Sequence, residues 1–208
     1  MKDVIIATEN AGKFEEIRSL LNTTFERFYS LKDFPEKVIV EEDRPVYVAN
    51  AMKKARKVGD RFGIATLADD SGLEVEALQG RPGVYSSRYG LNDNDRIERL
   101  LAELEGVPWD RRRAAFKAYL VLYVPERDRC YLFYGHLKGF IGFGKYGSGG
   151  FGYDPIFYVP GFDKYLAQMD MAEKNAASHR GRAVLALKSF LNLDFYRTPK
   201  VLIPLSRQ

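Results

Sequence analysis

The chain has 208 residues, a formal charge of +4, an apolar share of 46% and a charged share of 29%. These values fit one globular domain, with or without two lobes, and exclude a disordered chain. No apolar run approaches membrane-spanning length, and the lone Cys130 excludes an intrachain disulfide framework.

The amino terminus enters a strand pattern directly, without a long apolar leader, so a cytoplasmic setting is expected. Residues 4–8 are the first strand candidate. Asn10 stands where an N-cap belongs, before a helix over residues 11–21. Phe14, Ile17, Leu20 and Leu21 make its buried stripe, and Lys13, Glu15, Glu16 and Arg18 face mostly outward. Thr8, Asn10 and Lys13 gather at the helix N-terminus, where free N–H groups and the dipole favour a phosphate. The turn lacks the glycine spacing of a P-loop or dinucleotide fingerprint, so a plain cap and a surface lysine are the alternative.

Residues 25–31 and 38–40 are further strand candidates. Pro45 marks the first turn of a helix running to about residue 58, with Val48, Met52 and Ala55 on one face. Glu41, Glu42 and Asp43 precede it, either as favourable charge at a helix start or as a source of a metal carboxylate. The apolar run 64–68 reads as a short buried strand ending on Asp69 and Asp70, with Ser71-Gly72 as a turn. Alternation points the two carboxylates opposite ways, one toward structure and one toward a cleft. Open α/β sheets hold ligands where such strands finish, although an Asp pair also caps turns.

Gly80-Arg81-Pro82-Gly83 makes a tight loop. A helix over 93–104 stops before Gly106. The cluster Arg111-Arg112-Arg113 reads as a solvated edge rather than a nucleic-acid contact. Two long strand patterns, 114–124 and 130–141, flank Pro125-Glu126-Arg127-Asp128 and form a hairpin, in which Cys130 is structural. The order of strands and helices implies a mixed α/β sheet.

Six glycines fall between residues 142 and 152, so this loop needs backbone freedom or approaches a ligand closely. Phe151 and Tyr153 either stack on a planar ring or pack in a core. Asp154 either starts a turn with Pro155 or accepts hydrogen bonds from a nucleobase. Ser178 is the N-cap of a final helix whose apolar positions include Ala183, Val184, Leu187, Phe190 and Leu191. His179 and Arg180 fall in its first turn, where positive side chains oppose the dipole unless an anion or acceptor is near.

Thr8-Glu9-Asn10-Ala11-Gly12-Lys13, Asp69-Asp70-Ser71-Gly72-Leu73, Pro82-Gly83-Val84-Tyr85, Gly150-Phe151-Gly152-Tyr153-Asp154-Pro155 and Ser178-His179-Arg180 follow one another in this order. Together they resemble the Ham1 family of inosine/xanthosine triphosphate pyrophosphatases, over the chain to about residue 193. The resemblance implies a mixed α/β fold with an elongated central sheet flanked by helices. It also implies a single domain over 1–208 with two lobes, the active-site cleft between them, and a homodimer. The implied activity is Mg2+-dependent hydrolysis of ITP, dITP and XTP to the monophosphate and pyrophosphate, with no nucleic-acid or membrane partner.

By position, Asp70 matches the catalytic acid, and Glu42 and Asp70 match the metal carboxylates, with Asp69 in support. Thr8, Asn10 and Lys13 match the phosphate-binding turn, to which Lys54 is added, and Ser71 matches a substrate contact. Phe151, Gly152, Tyr153, Asp154, Lys174, His179 and Arg180 match the base-reading part. Ala49, Gln168 and Glu9 depart from the family pattern, which bears on metal affinity, cleft support and charge near the phosphates. The rivals are a Maf-like pyrophosphatase and a catalytically weak nucleotide sensor.

Overall fold

Strand β1 (Asp3–Ile6) leads through a tight turn into helix α1 (Ala11–Leu21), where Asn10 Oδ1 accepts the Lys13 N–H at 3.0 Å. Strand β2 (Arg27–Ser30) returns parallel to β1. Helix α2 (Tyr47–Phe62) closes on Gly63 at φ +64°, a left-handed cap that glycine adopts without strain. Strand β3 (Thr66–Val75), helix α3 (Asp93–Glu103) and the hairpin of β4 (Arg113–Val124) and β5 (Arg129–Ile141) follow. Strands β6 (Phe157–Val159) and β7 (Lys164–Tyr165) precede helices α4 (Met171–Ala177) and α5 (His179–Asn192). The computed structural model describes residues 2–193; residues 194–208, counted in the expected domain, lie outside them.

The sheet has the order β2-β1-β3-β4-β5-β6-β7. β1 is parallel to β2 and β3, and every pairing from β3 to β7 is antiparallel, as the expected mixed sheet requires. Strands β3, β4 and β5 are long enough to serve two cores. In one half, α1 and α5 cover Leu67, Leu120 and Leu122 on one face, while α2 covers Ala68 and Val121 on the other. In the other half, α3 packs Ile97 and Leu100 against Leu73, Phe116 and Leu137. These buried aliphatic side chains each contribute about 1.5–3 kcal/mol, and the packing of both halves is built on the same three strands.

Four expectations are corrected. The strand predicted to stop at Asp70 runs on to Val75, because Ser71 and Gly72 pair with Ala118 and Lys117 of β4. The ladder overrides the local turn signal. Residues 38–40 form no strand, although Val38 and Val40 pack beside the α2 core. Helix α2 begins two residues after Pro45 and buries Tyr47, Ala51, Ala55 and Val58, leaving Met52 exposed. Arg112 is not a solvated edge: it is 4% exposed and donates to the carbonyls of Leu104, Val107 and Gly142.

Candidate active site

Strand β1 stops at Ile6 beside Leu67, while β3 continues, so the β3 edge beyond Ala68 borders a notch. The Thr8–Lys13 turn lines one side of it. Asn10 N–H donates to Thr8 Oγ1 at 3.2 Å, which fixes the turn below the α1 N-terminus. On the other side is the turn Gly83–Arg88. This turn lies against β3, since a Cβ on Gly72 would fall 2.2 Å from the Gly83 carbonyl oxygen.

Alternation along β3 sends Asp69 and Asp70 to opposite faces, as expected. Asp69 meets Lys13 Nζ at 2.8 Å and Arg180 Nη2 at 3.4 Å, and accepts the Ser71 hydroxyl at 2.9 Å. Burial works against its carboxylate, yet Lys13 and Arg180 hold it well below the usual range. Asp70 instead accepts Asn50 Nδ2–H at 3.0 Å. Burial pushes the Asp70 carboxyl up to about 6; Asn50 opposes this, and the charge of Glu42 adds to it. Glu42, paired with Lys54, therefore lies within electrostatic reach of Asp70.

The donor set of Glu42 and Asp70 fits a hard divalent cation, which typically takes one or two carboxylates besides water and phosphate oxygens. A cation between them would relieve their mutual repulsion and the desolvation of Asp70. No group of three or more His, Cys, Asp and Glu side chains converges on a metal position among the described residues.

The base-reading residues meet on the Asp69 face. Lys174 Nζ is 2.6 Å from Asp154 Oδ2 and 2.6 Å from Glu16 Oε1, and Arg180 joins Glu16 to Asp69. The result is a buried row, Asp154–Lys174–Glu16–Arg180–Asp69–Lys13, in which the charges alternate in sign. Burial works against the Lys174 ammonium, but Asp154 and Glu16 outweigh it and raise its pKa. Burial likewise disfavours the Glu16 carboxylate, and Arg180 and Lys174 reverse that and lower its pKa. Glu16 and Asp69 are the acceptors that Arg180 needs at the α5 N-terminus.

Glu16 is the residue that sequence reasoning missed. The apolar stripe of α1 puts it on the outer face, yet it is 3% exposed. The available signal was its position three residues after Lys13 and four before Leu20, on one helical face. Asn50 was missed as well.

Phe151 lies over this row, with Lys174 Nζ 4.6 Å and Arg180 Cζ 5.7 Å from its ring centroid. A Cβ on Gly12 would fall 2.5 Å from that ring, so glycine admits it to the phosphate turn. Asp93, at the start of α3, accepts Gly152 N–H at 2.7 Å and thereby holds the glycine-rich loop. Asp154 Oδ2 accepts Phe151 N–H at 3.0 Å, and the Tyr153 hydroxyl donates to the Ser86 carbonyl at 2.9 Å. The cleft so formed has a cavity volume of about 80 Å³ and is lined by Asn10, Lys13, Ser71, Phe151 and His179.

His179 stacks on Phe116 at 4.7 Å, and burial drives its imidazole well below the ordinary value, leaving it neutral. Both His179 Nδ1 and Arg180 Nε are buried without a hydrogen-bond partner among the described residues. Buried polar atoms are rarely left unpaired, and these two lie in the wall of the cleft.

Of the three departures, Glu9 is exposed and lies 4.0 Å from Lys37, away from the row. Gln168 Oε1 accepts the Tyr165 N–H at 2.9 Å and serves a turn, and Ala49 is half-buried on α2.

The model of the Ham1 family matches residues 4–190. A dITP/XTP pyrophosphatase of Geobacter sulfurreducens is 45% identical over 194 residues, covering 92% of this chain and 97% of its own. One of Halalkalibacterium halodurans is 41% identical over 195 residues, covering 92% and 100%. Among solved structures, a HAM1 protein from Coxiella burnetii superposes with a TM-score of 0.82 at 39% identity, covering 92% and 98%.

Proposed function

Because the chain belongs to the Ham1 family, we propose that it hydrolyses ITP, dITP and XTP to the nucleoside monophosphate and pyrophosphate. The observation that carries this reading is the pair of orphaned donors and acceptors on His179 and Arg180, set beside a phosphate turn and a two-carboxylate centre. A divalent cation, Mg2+ in our reading, would be held by Glu42 and Asp70 and would supply neutralisation of the phosphate charge. Phosphoanhydride cleavage depends on positioning and charge more than on covalent chemistry.

Asp70 orients the attacking water and takes its proton, a role suited to a carboxylate raised toward neutrality by burial. Asp69 holds Lys13 at 2.8 Å, so that the ammonium and the α1 N-terminus receive the departing pyrophosphate, with Thr8 and Asn10 shaping the turn. Lys54 balances Glu42, and Ser71, which donates to Asp69 and accepts from Arg180, faces the substrate.

The purine lies near Phe151, Gly152 and Tyr153, with Asp154 and Lys174 fixed at its edge. A 6-oxo group suits the Arg180 Nε–H and the Nδ1–H tautomer of the neutral His179; the amine of adenine would face the Arg180 donor. Such a mismatch of about 1–3 kcal/mol gives roughly 5- to 150-fold discrimination. The reading extends to a cytoplasmic homodimer, for which the exposed Leu132 and Tyr134 offer apolar surface.

Pyrophosphate release from ITP, XTP, dITP, GTP and ATP, with and without Mg2+, tests the proposal. We expect the first three to be turned over only with the metal, and Asp70→Asn to abolish turnover while nucleotide still binds. Full activity of Asp70→Asn would sink the assignment of Asp70, and indifference to the base would sink the substrate class.

A further inference from the structure

Arg88 closes the turn Gly83–Arg88 and has no part in the assignments above. Its turn is braced toward both ends of the cleft. Toward β3, Ser86 Oγ accepts Leu73 N–H at 2.8 Å and donates to the Gly83 carbonyl at 2.6 Å. Toward the base end, the Ser86 carbonyl accepts the Tyr153 hydroxyl at 2.9 Å. From this fixed base Arg88 reaches across to Glu42, with Nη1 3.8 Å from Oε2, while its guanidinium lies 5.4 Å from the Tyr85 ring centroid.

The cations near the two acids differ in how firmly they are held. Lys13 sits 2.8 Å from the buried Asp69, and Lys54 is in close contact with Glu42. Arg88 has the long approach to Glu42, a 3.5 Å bond to the Val84 carbonyl and the Tyr85 ring beside it, and its side chain is 42% exposed. A guanidinium keeps its charge at any working pH and presents a planar fork that matches two phosphate oxygens. A polyanion drawn to the Glu42–Asp70 centre would arrive where that fork already points.

We propose that Arg88 is a further catalytic residue, which binds triphosphate oxygens beside the Glu42 carboxylate that it shares with Lys54. The proposal rests on the pyrophosphatase reading. When the nucleotide enters, the guanidinium exchanges Glu42 for phosphate oxygens, which vacates Glu42 Oε2 for the cation while Lys54 stays on Oε1. During cleavage, negative charge grows on the leaving pyrophosphate, and an arginine already in place stabilises it without reorganisation. The bracing through Ser86 and Tyr153 ties the position of this cation to that of the base-reading loop.

The test compares Arg88→Ala, Arg88→Gln and Arg88→Lys with the wild type. Steady-state hydrolysis of ITP is measured alongside calorimetric binding of α,β-methylene ITP and of inosine. Loss of one charge-assisted hydrogen bond predicts a fall of about 10-fold or more in kcat/KM for the Ala and Gln variants. The same variants should bind the methylene analogue correspondingly more weakly and bind inosine as the wild type does. Lys, with charge but no fork, should recover part of the loss. Unchanged turnover and analogue affinity in all three variants overturn the proposal. Equal losses for the analogue and inosine overturn it too, because they mark a structural role. Arg88-dependent analogue binding in a wild type that releases no pyrophosphate from ITP would keep Arg88 as a phosphate contact, overturn its catalytic role and sink the pyrophosphatase reading.

Discussion

The neutrality of His179 has a consequence for stability. Burial lowers its pKa, the Arg180 charge acts in the same direction, and Asp69 opposes them. In the unfolded chain a histidine titrates near 6.5, so below that pH the unfolded state binds a proton that the native ring refuses. The contribution of His179 is therefore present in full above about 6.5 and is lost as the pH falls below it. Urea midpoints at pH 7.5, 6.5 and 5.5 should decline on the acid side in the wild type and decline less in His179→Gln. His136 is the only other histidine, so an unchanged slope in the variant would count against a neutral buried ring. Thr8, Asn10, Lys13 and the Ser178 cap were legible in the sequence because caps and first-turn residues act through local geometry. Glu16 was not, because its burial depends on Lys174 and Arg180, which reach it from α4 and α5.

Strand β3 shows what local signals leave out. Its apolar start and its two carboxylates could be read directly, and the β4–β5 hairpin announced itself by alternation around a proline-led turn. The passage of β3 through Ser71 and Gly72 could not, since it depends on ten residues of β4 lying alongside. Gly72 is needed for contact rather than for a turn: a methyl group there meets the Gly83 carbonyl backbone, which cannot swing aside. Gly72→Ala is therefore expected to destabilise by about 1–3 kcal/mol, the usual cost of overpacking. It should also lower kcat for ITP by displacing the Gly83–Arg88 turn. Gly161→Ala, where an added Cβ meets nothing within 4 Å, serves as the control and should stay within about 0.5 kcal/mol. Wild-type stability and turnover in Gly72→Ala would mean that the turn adapts.

At the scale of the molecule, both packed halves hang on the same three strands. Leu73, Phe116 and Leu137 belong to one core, while Leu67, Leu120 and Phe133 of the same strands belong to another. Melting one core removes the ladder that supports the other, so a single cooperative transition is expected. Trp109, the sole tryptophan, stacks on Phe140 in the α3 half. Its fluorescence and far-UV circular dichroism should give coincident denaturation midpoints, and separate midpoints would divide the chain into two domains. The fold class was open to sequence reading because it depends on the order of elements, whereas the sharing of strands between cores appears only with the register.

The alternating row beneath Phe151 sums to zero. An incoming polyanion feels little of it from a distance, so long-range attraction falls to cations outside the row, among them Arg88 at the rim, whose side chain is 42% exposed beside Glu42. Added salt screens that rim and leaves the dry interior largely untouched. Ionic strength should thus govern how quickly a nucleotide is captured far more than how long it stays.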